Sequence, residues 1–513
     1  MSTNTATTHE GMTAAASPGL PQRVKVICGL LLGLRRHDLR AANTFLNAMY
    51  PGVPWLVRVI RFVGWFLRNG FVDIPKGLED VSWDKPVSKV PIWLAEGNPL
   101  ENYPFSKDPQ ARLPESAEVV VIGAGFTGAS VAYHWSKRSA DEKLLVLLEM
   151  GDAASGSSGR NEGVVVMGRY YSYVYKTVNH YLEGVRSDLS REARKALACE
   201  YAAAYCQAAY VNADMIEQTV RSEGFDCDYA RKGWVQALGL ANQELLKESA
   251  KAAQDTGFTD WTTITPEQAF DLTGMQTQGL SGLSVKAATF HPAKWVWCLI
   301  RKALESSKVS FFSRTRVSRV EDAGDFYRVH TQRGVIRARY VVNATESYTP
   351  LLHRQFHDVI QPMQTQAAFG TGAKNQLKPH VAASTVRGFF GRHGNGMLFG
   401  SDATRVRDEE AGVIQPSRFI TKFLLGMAPQ LFGRARIHVT NEWSGTVSYT
   451  PDEYPIVDLM DDKRQYIIAG MAGSGTGVSF NAAHHVVGRI LGLDQVDYYP
   501  AKYFSAKRFA TKA

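Results

Sequence analysis

The chain has 513 residues, 45% of them hydrophobic, enough to bury a large core in more than one domain. Its five cysteines, Cys28, Cys199, Cys206, Cys227 and Cys298, are odd in number and include no CxxC pair. This argues against a zinc site or a disulfide framework and for a reducing, cytoplasmic setting. The formal net charge of +9 allows an anionic partner, yet bulky aliphatics interleave with the arginines at core-like density, which argues against nucleic acid.

The first twenty or so residues are rich in Ser, Thr and Ala, a composition that predicts a mobile leader. Val26–Leu34 is a nine-residue apolar run flanked by Lys25, Arg35 and Arg36, too short to span a bilayer. A long polar leader with no small-residue cleavage site argues against a secretory signal, and the scarcity of arginine over the first 22 residues against a mitochondrial one. Pro54–Arg68 then predicts an amphipathic helix: Arg58, Arg61, Arg68 and Asn69 share one narrow face, and tryptophans, phenylalanines and aliphatics cover the rest. From Arg23 to Arg68 eight Lys/Arg stand against one acid, Asp38. Such a helix suits the interface of an anionic membrane; the alternative is that it covers an apolar groove on its own body or on a partner subunit.

Val119–Ile122 predicts a strand that enters the turn Gly123-Ala124-Gly125-Phe126-Thr127-Gly128, followed by a helix and by a second strand, Leu144–Leu148, ending in Glu149. This is a dinucleotide-binding βαβ unit. Gly123 permits the tight turn, Gly125 lets the backbone approach a pyrophosphate, and Gly128 lets the helix pack on the strand. The helix N-terminus offers free N–H groups to phosphate, and Glu149 stands where a carboxylate can accept hydrogen bonds from a ribose. The small-residue loop Ser155–Gly163 can approach a second part of the same cofactor, which favours a flavin over a nicotinamide dinucleotide.

Three further landmarks precede the C-terminus: Thr289-Phe290-His291-Pro292 before a helix, Tyr340-Val341-Val342-Asn343-Ala344-Thr345, and Trp443-Ser444-Gly445 followed by Thr450-Pro451-Asp452-Glu453-Tyr454-Pro455. Tyr466–Val478 again reads as strand, glycine turn and helix start. In this order, over about residues 117–495, these segments resemble the flavin-dependent amine and amino acid oxidoreductases of the D-amino acid oxidase superfamily, which includes sarcosine, glycine and γ-glutamylputrescine oxidases.

The resemblance implies an α/β fold with a discontinuous Rossmann-type FAD-binding domain (116–176, 285–355 and 440–500) interleaved with an α+β substrate domain (177–284 and 356–439). An N-terminal helical extension (1–115) and a basic tail (501–513) complete the chain. The implied FAD-binding residues are Gly123, Gly125, Phe126, Thr127, Gly128, Glu149, Met150, Ser155, Ser158, Gly159, Arg160, Asn161, Val317, Ala344, Thr345, Gly470, Gly473, Ser474, Gly475, Thr476 and Gly477. The second glycine turn would aim a helix N-terminus at the flavin's pyrimidine edge, where reduction builds negative charge. Some members attach flavin through a cysteine whose place Gly445 takes here, or through a histidine that Ser155–Gly163 lacks; the FAD is therefore expected to be dissociable. No metal is implied.

The implied chemistry is oxidation of a C–N bond in a small amine or amino acid derivative: hydride passes to flavin N5 and the imine is hydrolysed. Val447 replaces an arginine that holds the substrate carboxylate in amino acid-oxidising members, which shifts the expectation toward an amine or toward a carboxylate held by Arg387, Arg392 or His393. For those three, surface ion pairs are the alternative. Leu398 aligns with a lysine that helps reduce oxygen in sarcosine-oxidase-like members, pointing to a dehydrogenase with another acceptor, such as membrane quinone. A peroxide-producing oxidase and a flavin-bearing scaffold or assembly protein are the alternatives; a homo-oligomer is compatible with all three. Candidate contacts to flavin or substrate are Glu162, Tyr170, Tyr171, Tyr173, Arg387 and Trp443; the alternative for the tyrosines is core and rim on a strand, and for Glu162 an ion pair to Arg160. His291 is expected to cap structure rather than transfer protons.

Overall fold

The computed structural model describes residues 20–21, 24, 53–101, 111–139, 143–165, 171–258, 260–372, 377–385, 388–401, 404–405, 416–433, 435–460, 463–493 and 499–509. The leader, the Val26–Leu34 run, Tyr170 and Arg387 lie outside them.

An eight-stranded sheet has a parallel centre in the spatial order Val309–Phe312, Leu145–Leu148, Ser116–Ile122, Gly334–Asn343 and Gln465–Ala469. The apolar runs are continuous because both faces are covered. Val119, Val121, Leu145 and Leu147 pack with residues of the helices Phe126–Arg138, Pro292–Leu304 and Gly475–Leu491. Val120, Ile122, Val146 and Leu148 pack on the other side with Val317, Tyr327, Val329 and Ile336, from strands Val317–Asp322, Tyr327–Thr331 and Gly334–Asn343. A one-residue slip would exchange the two sets.

A ten-stranded mixed sheet is built around the antiparallel pair Gln361–Thr371 and Ile437–Tyr449. Helix Arg418–Met427 is tied to it through Glu442, a buried acid that accepts from Arg418 Nη2 (2.7 Å) and Thr421 Oγ1 (2.8 Å). The sheet takes Val81–Ser88 as a parallel edge strand against Ile437–Asn441, so this part of the expected helical extension is instead part of the body. Pro86, which has no N–H, and the charged Asp84 and Lys85 suit a free edge.

Two expected boundaries move. Ile437–Tyr449 lies wholly in the ten-stranded sheet, so 439/440 falls inside a strand, and 176/177 falls inside the helix Tyr171–Val185. Tyr171 and Tyr173 are therefore helical, not on a strand. The buried set Tyr171, Val174, Val178 and Leu182 has helical spacing, and that period outweighs the β-preference of the aromatics. The 33-residue helix Arg191–Glu223 is capped by Ser190 and closed by Gly224 at φ +64°. It packs on the helix Gly475–Leu491, where buried Asn212 donates to Thr476 O (2.8 Å) and accepts from the N–H groups of Phe480 and Asn481 (both 3.0 Å).

Trp55–Arg68 is a helix. Leu56, Ile60, Val63 and Leu67, at i, i+4, i+7 and i+11, form a ridge exposed by 63%, 62%, 46% and 45%. Asn69, expected on the polar face, is buried instead: its amide donates to Trp65 O (2.8 Å), and it sits against Gln430 at the start of a turn of π-helix.

Candidate active site

Ile122, Leu148 and Ala344, at the C-terminal ends of the parallel strands, line a cavity of about 950 Å³, where open α/β sheets bind ligands. In the first glycine turn Gly123 has φ +105°, and a Cβ there would lie 2.5 Å from Ala344 O. The backbones of two strand ends meet at this point, so only glycine fits. A Cβ on Gly128 would run into Gly123 O, which closes the helix onto its strand. The helix start is not bare, as expected from sequence, because Phe126 N–H already donates to Ser158 Oγ (2.8 Å).

Glu149 spans this turn. Its Oε2 accepts from Ala124 N and its Oε1 from Gly151 N, both at 2.8 Å. Burial pushes its pKa up, and these two bonds work against the shift.

The next loop is held from within and from behind. Arg160 donates from Nε to Ser155 O (2.8 Å) and from Nη1 to Ser444 O (3.1 Å), and burial lowers its pKa. The Asn161 amide donates to Ser158 O and accepts from Gly163 N, both at 2.8 Å. Trp443, fully buried, donates its indole N–H to Arg160 O (3.0 Å), and Trp93 donates to Asn161 O (2.8 Å). Trp443 thus buttresses the loop rather than lining the cavity. With Arg160 committed to carbonyl oxygens, its alternative ion pair with Glu162 does not form; Glu162 faces the cavity, and burial pushes its carboxyl up to about 7.

The second turn places Met471, Gly473, Gly475 and Thr476 on the same cavity, with Gly475 opening the helix Gly475–Leu491. Gly470 (φ +69°) and Gly473 (φ +75°) make the bend. Phe126, Thr127, Met150, Ser155, Val317, Ala344, Thr345 and Val447 also line the cavity, whereas Gly128, Gly159, Gly470, Ser474 and Gly477 support it from outside. Among the described lining residues none is a lysine, cysteine or histidine, and the only arginines are Arg160 and Arg316. Leu398 is buried in the core.

Sequence reasoning missed Glu346. It lines the cavity, accepts from Met471 N (3.0 Å) and from the Ser448 hydroxyl, and is pushed up to about 7 by burial. The available signal was an acid directly after Asn343-Ala344-Thr345.

The remaining candidates lie off the cavity. Tyr171 Oη reaches Cys199 O (3.4 Å) and Tyr173 Oη reaches Glu453 (3.3 Å). Arg392 donates to Leu377 O (3.2 Å) and Gly394 O (3.3 Å), and His393 bonds Glu96. His291 caps the helix Pro292–Leu304, its Nδ1 accepting from Lys294 N (3.1 Å). Glu96, His291 and His393 have the spacing of cation ligands, but an accepting Nδ1 puts the neutral ring's proton on Nε2, 3.2 Å from Glu96, and Lys294 Nζ stands 3.6 Å from the same carboxylate. The three side chains and Lys294 form a cluster of charged and polar groups in which Glu96 is approached by His291, His393 and Lys294.

The family described as FAD dependent oxidoreductase (DAO) matches residues 118–489. The probable oxidoreductase OrdL of Haemophilus influenzae is 23% identical over 415 residues, covering 77% of this chain and 87% of its own. The pyruvate dehydrogenase phosphatase regulatory subunit of Mus musculus is 41% identical over 68 residues, 13% of this chain and 8% of its own. Among solved structures, L-proline dehydrogenase from P. horikoshii and glycine oxidase from Geobacillus kaustophilus are each 17% identical with TM-score 0.62, covering 77% of this chain and 98% and 100% of theirs. L-amino acid deaminase from Proteus vulgaris is 19% identical with TM-score 0.61, covering 79% and 97%. With two glycine turns converging on one cavity and the family matched over residues 118–489, the chain belongs to the FAD dependent oxidoreductases.

Proposed function

We propose that this protein oxidises a C–N bond in an amine or amino acid derivative, with hydride transfer to flavin N5 and hydrolysis of the imine, and that it passes the electrons to an acceptor other than oxygen. The observation that carries the reading is Glu162, a half-buried acid facing the cavity, whose described lining holds two arginines, Arg160 and the exposed Arg316. Arg160 is tied to carbonyl oxygens, and Val447 lines the wall. The names of the similar structures, proline dehydrogenase, glycine oxidase and amino acid deaminase, agree with nitrogen-bearing substrates.

The cavity fits FAD: a glycine turn in which no Cβ fits beside Ala344 O borders it, an acid stands at the strand tip, and a second helix start faces it. The N–H groups of the first turn other than those of Ala124 and Phe126 would hold the diphosphate and Glu149 the ribose, while Met471–Thr476 would meet the pyrimidine edge. The absence of cysteine and histidine among the described lining residues supports dissociable binding. When bound, the flavin supplies the electron sink. Glu162, ionised above about pH 7, would take the proton that a substrate ammonium must lose before hydride can leave its carbon.

The lack of a lysine among the described lining residues supports an acceptor other than oxygen. No helix among the described residues is long and apolar enough to cross a membrane; the exposed ridge Leu56–Leu67 supports peripheral attachment, which would bring the site to a quinone pool. A flavin-bearing regulatory scaffold is the second reading, favoured by the short match to a phosphatase regulatory subunit.

The test is an anaerobic titration of the flavin absorption band with primary, secondary and N-methylated amines and amino acids. Bleaching by one class supports C–N oxidation. A bound flavin that no compound bleaches overturns it in favour of the scaffold, and fast stoichiometric peroxide formation overturns the choice of acceptor.

A further inference from the structure

Glu346 has no part in the dinucleotide motif or in the proposed amine chemistry. It opens the single 3-10 turn Glu346–Tyr348 at φ +46°, in the left-handed region that favours glycine. Strain of this kind persists where surrounding bonds hold it and where the side chain has a use. Here the bonds are from Met471 N–H (3.0 Å) and the Ser448 hydroxyl. The carboxyl thereby joins the end of the ten-stranded sheet's longest strand to the second glycine turn.

Its position is electrostatically unusual. Met471, Gly473 and Gly475 line the same cavity, and Gly475 starts a 17-residue helix whose N-terminal pole favours negative charge. A carboxylate bonded to the turn that leads into that pole adds its charge beside a ligand's negative charge, and two such charges in one cavity do not readily coexist.

We propose that Glu346 is a redox-coupled acid of the flavin site, ionised beside oxidised FAD and protonated beside the reduced cofactor. The proposal rests on FAD binding and not on the amine substrate. The hydride brings two electrons and one proton to the flavin and leaves it with one added negative charge; Glu346 takes one further proton from solution, so the net charge of the site is unchanged.

The surroundings allow this titration near neutrality. Burial raises the carboxyl to about 7 against the two hydrogen bonds. The titratable neighbour on its own turn is Tyr348, whose phenol is raised first by burial and then by Glu149 and Glu346, with Arg160 opposing. From the strand and the second turn it faces the Ser448 hydroxyl and the Met471 N–H.

The experiment is the midpoint potential of bound FAD from pH 5.5 to 9 in the full-length holoprotein and in Glu346→Gln, Glu346→Gly and Glu162→Gln. Above pH 7 the unsubstituted protein should take up one more proton per two electrons than either Glu346 variant, a tenfold larger shift of the reduction equilibrium per pH unit, about 30 mV. Glu346→Gly removes the carboxyl together with the left-handed strain, so a poorly folding Gln variant does not hide the result. Equal slopes in all four proteins overturn the proposal, as does loss of the extra slope in Glu162→Gln alone. A chain that takes up no FAD at all overturns the flavin reading itself, a separate outcome.

Discussion

The two glycine turns look alike in sequence and differ in what forces them. At Gly123 the constraint is backbone against backbone: Ala344 O leaves no room for a Cβ, and φ is +105°. At Gly473 a Cβ would meet only Tyr449 Oη, at 3.3 Å, a side chain that can move. The turn also carries a non-glycine at positive φ, Ala472 (+48°), and is held by an acid from another segment, Glu346. The first turn is locally determined; the second is a tertiary construction.

That contrast can be broken by substitution. Gly123→Val should weaken FAD binding at least about 100-fold, about 2.8 kcal/mol, read from cofactor content and reconstitution of the apoprotein, while Gly473→Ala should cost about 1–2 kcal/mol, the left-handed backbone penalty. Equal losses would erase the distinction. Next, Glu162→Gln should slow anaerobic flavin reduction by about 100-fold or more at pH 8 and abolish the rise of rate with pH through about 7.

The same acid has a stability signature. Its folded pKa, about 7, lies above the ordinary 4.5, so it stabilises the fold below that ordinary value and the contribution fades as pH rises through 7. Glu162→Gln should flatten the fall of apoprotein stability between pH 4.5 and 7, seen in denaturant unfolding. Glu149→Ala strands the N–H groups of Ala124 and Gly151 and should cost about 1–3 kcal/mol for each left unsatisfied, measured the same way.

The smallest effect on chemistry is expected at the greatest distance from it. Leu56→Asp with Ile60→Asp should abolish co-flotation with anionic vesicles and leave the flavin spectrum unchanged. Unaltered flotation would assign the ridge to a protein partner.

Much of the cradle was legible because its causes are short-range. The Val119–Glu149 unit needs only a strand period, three glycines and a terminal acid, all within about 30 residues. The Asn-Ala-Thr strand end and the second strand-turn-helix were readable for the same reason. The failures share an opposite cause. Whether Trp443 faces the cavity or buttresses Arg160, and whether Arg160 pairs with Glu162 or with carbonyl oxygens, depends on residues some 280 positions apart.

The sequence by itself determined the family, the cofactor and the places where backbone must approach it, because glycine turns and apolar strands act through local sterics. Tertiary structure alone decided that Val81–Ser88 would leave the extension to complete a sheet edge and that Asn69 would be buried. It also decided that Glu346 would stand inside the cavity. Each of these depends on hydrogen bonding and desolvation by distant segments, which no local pattern encodes.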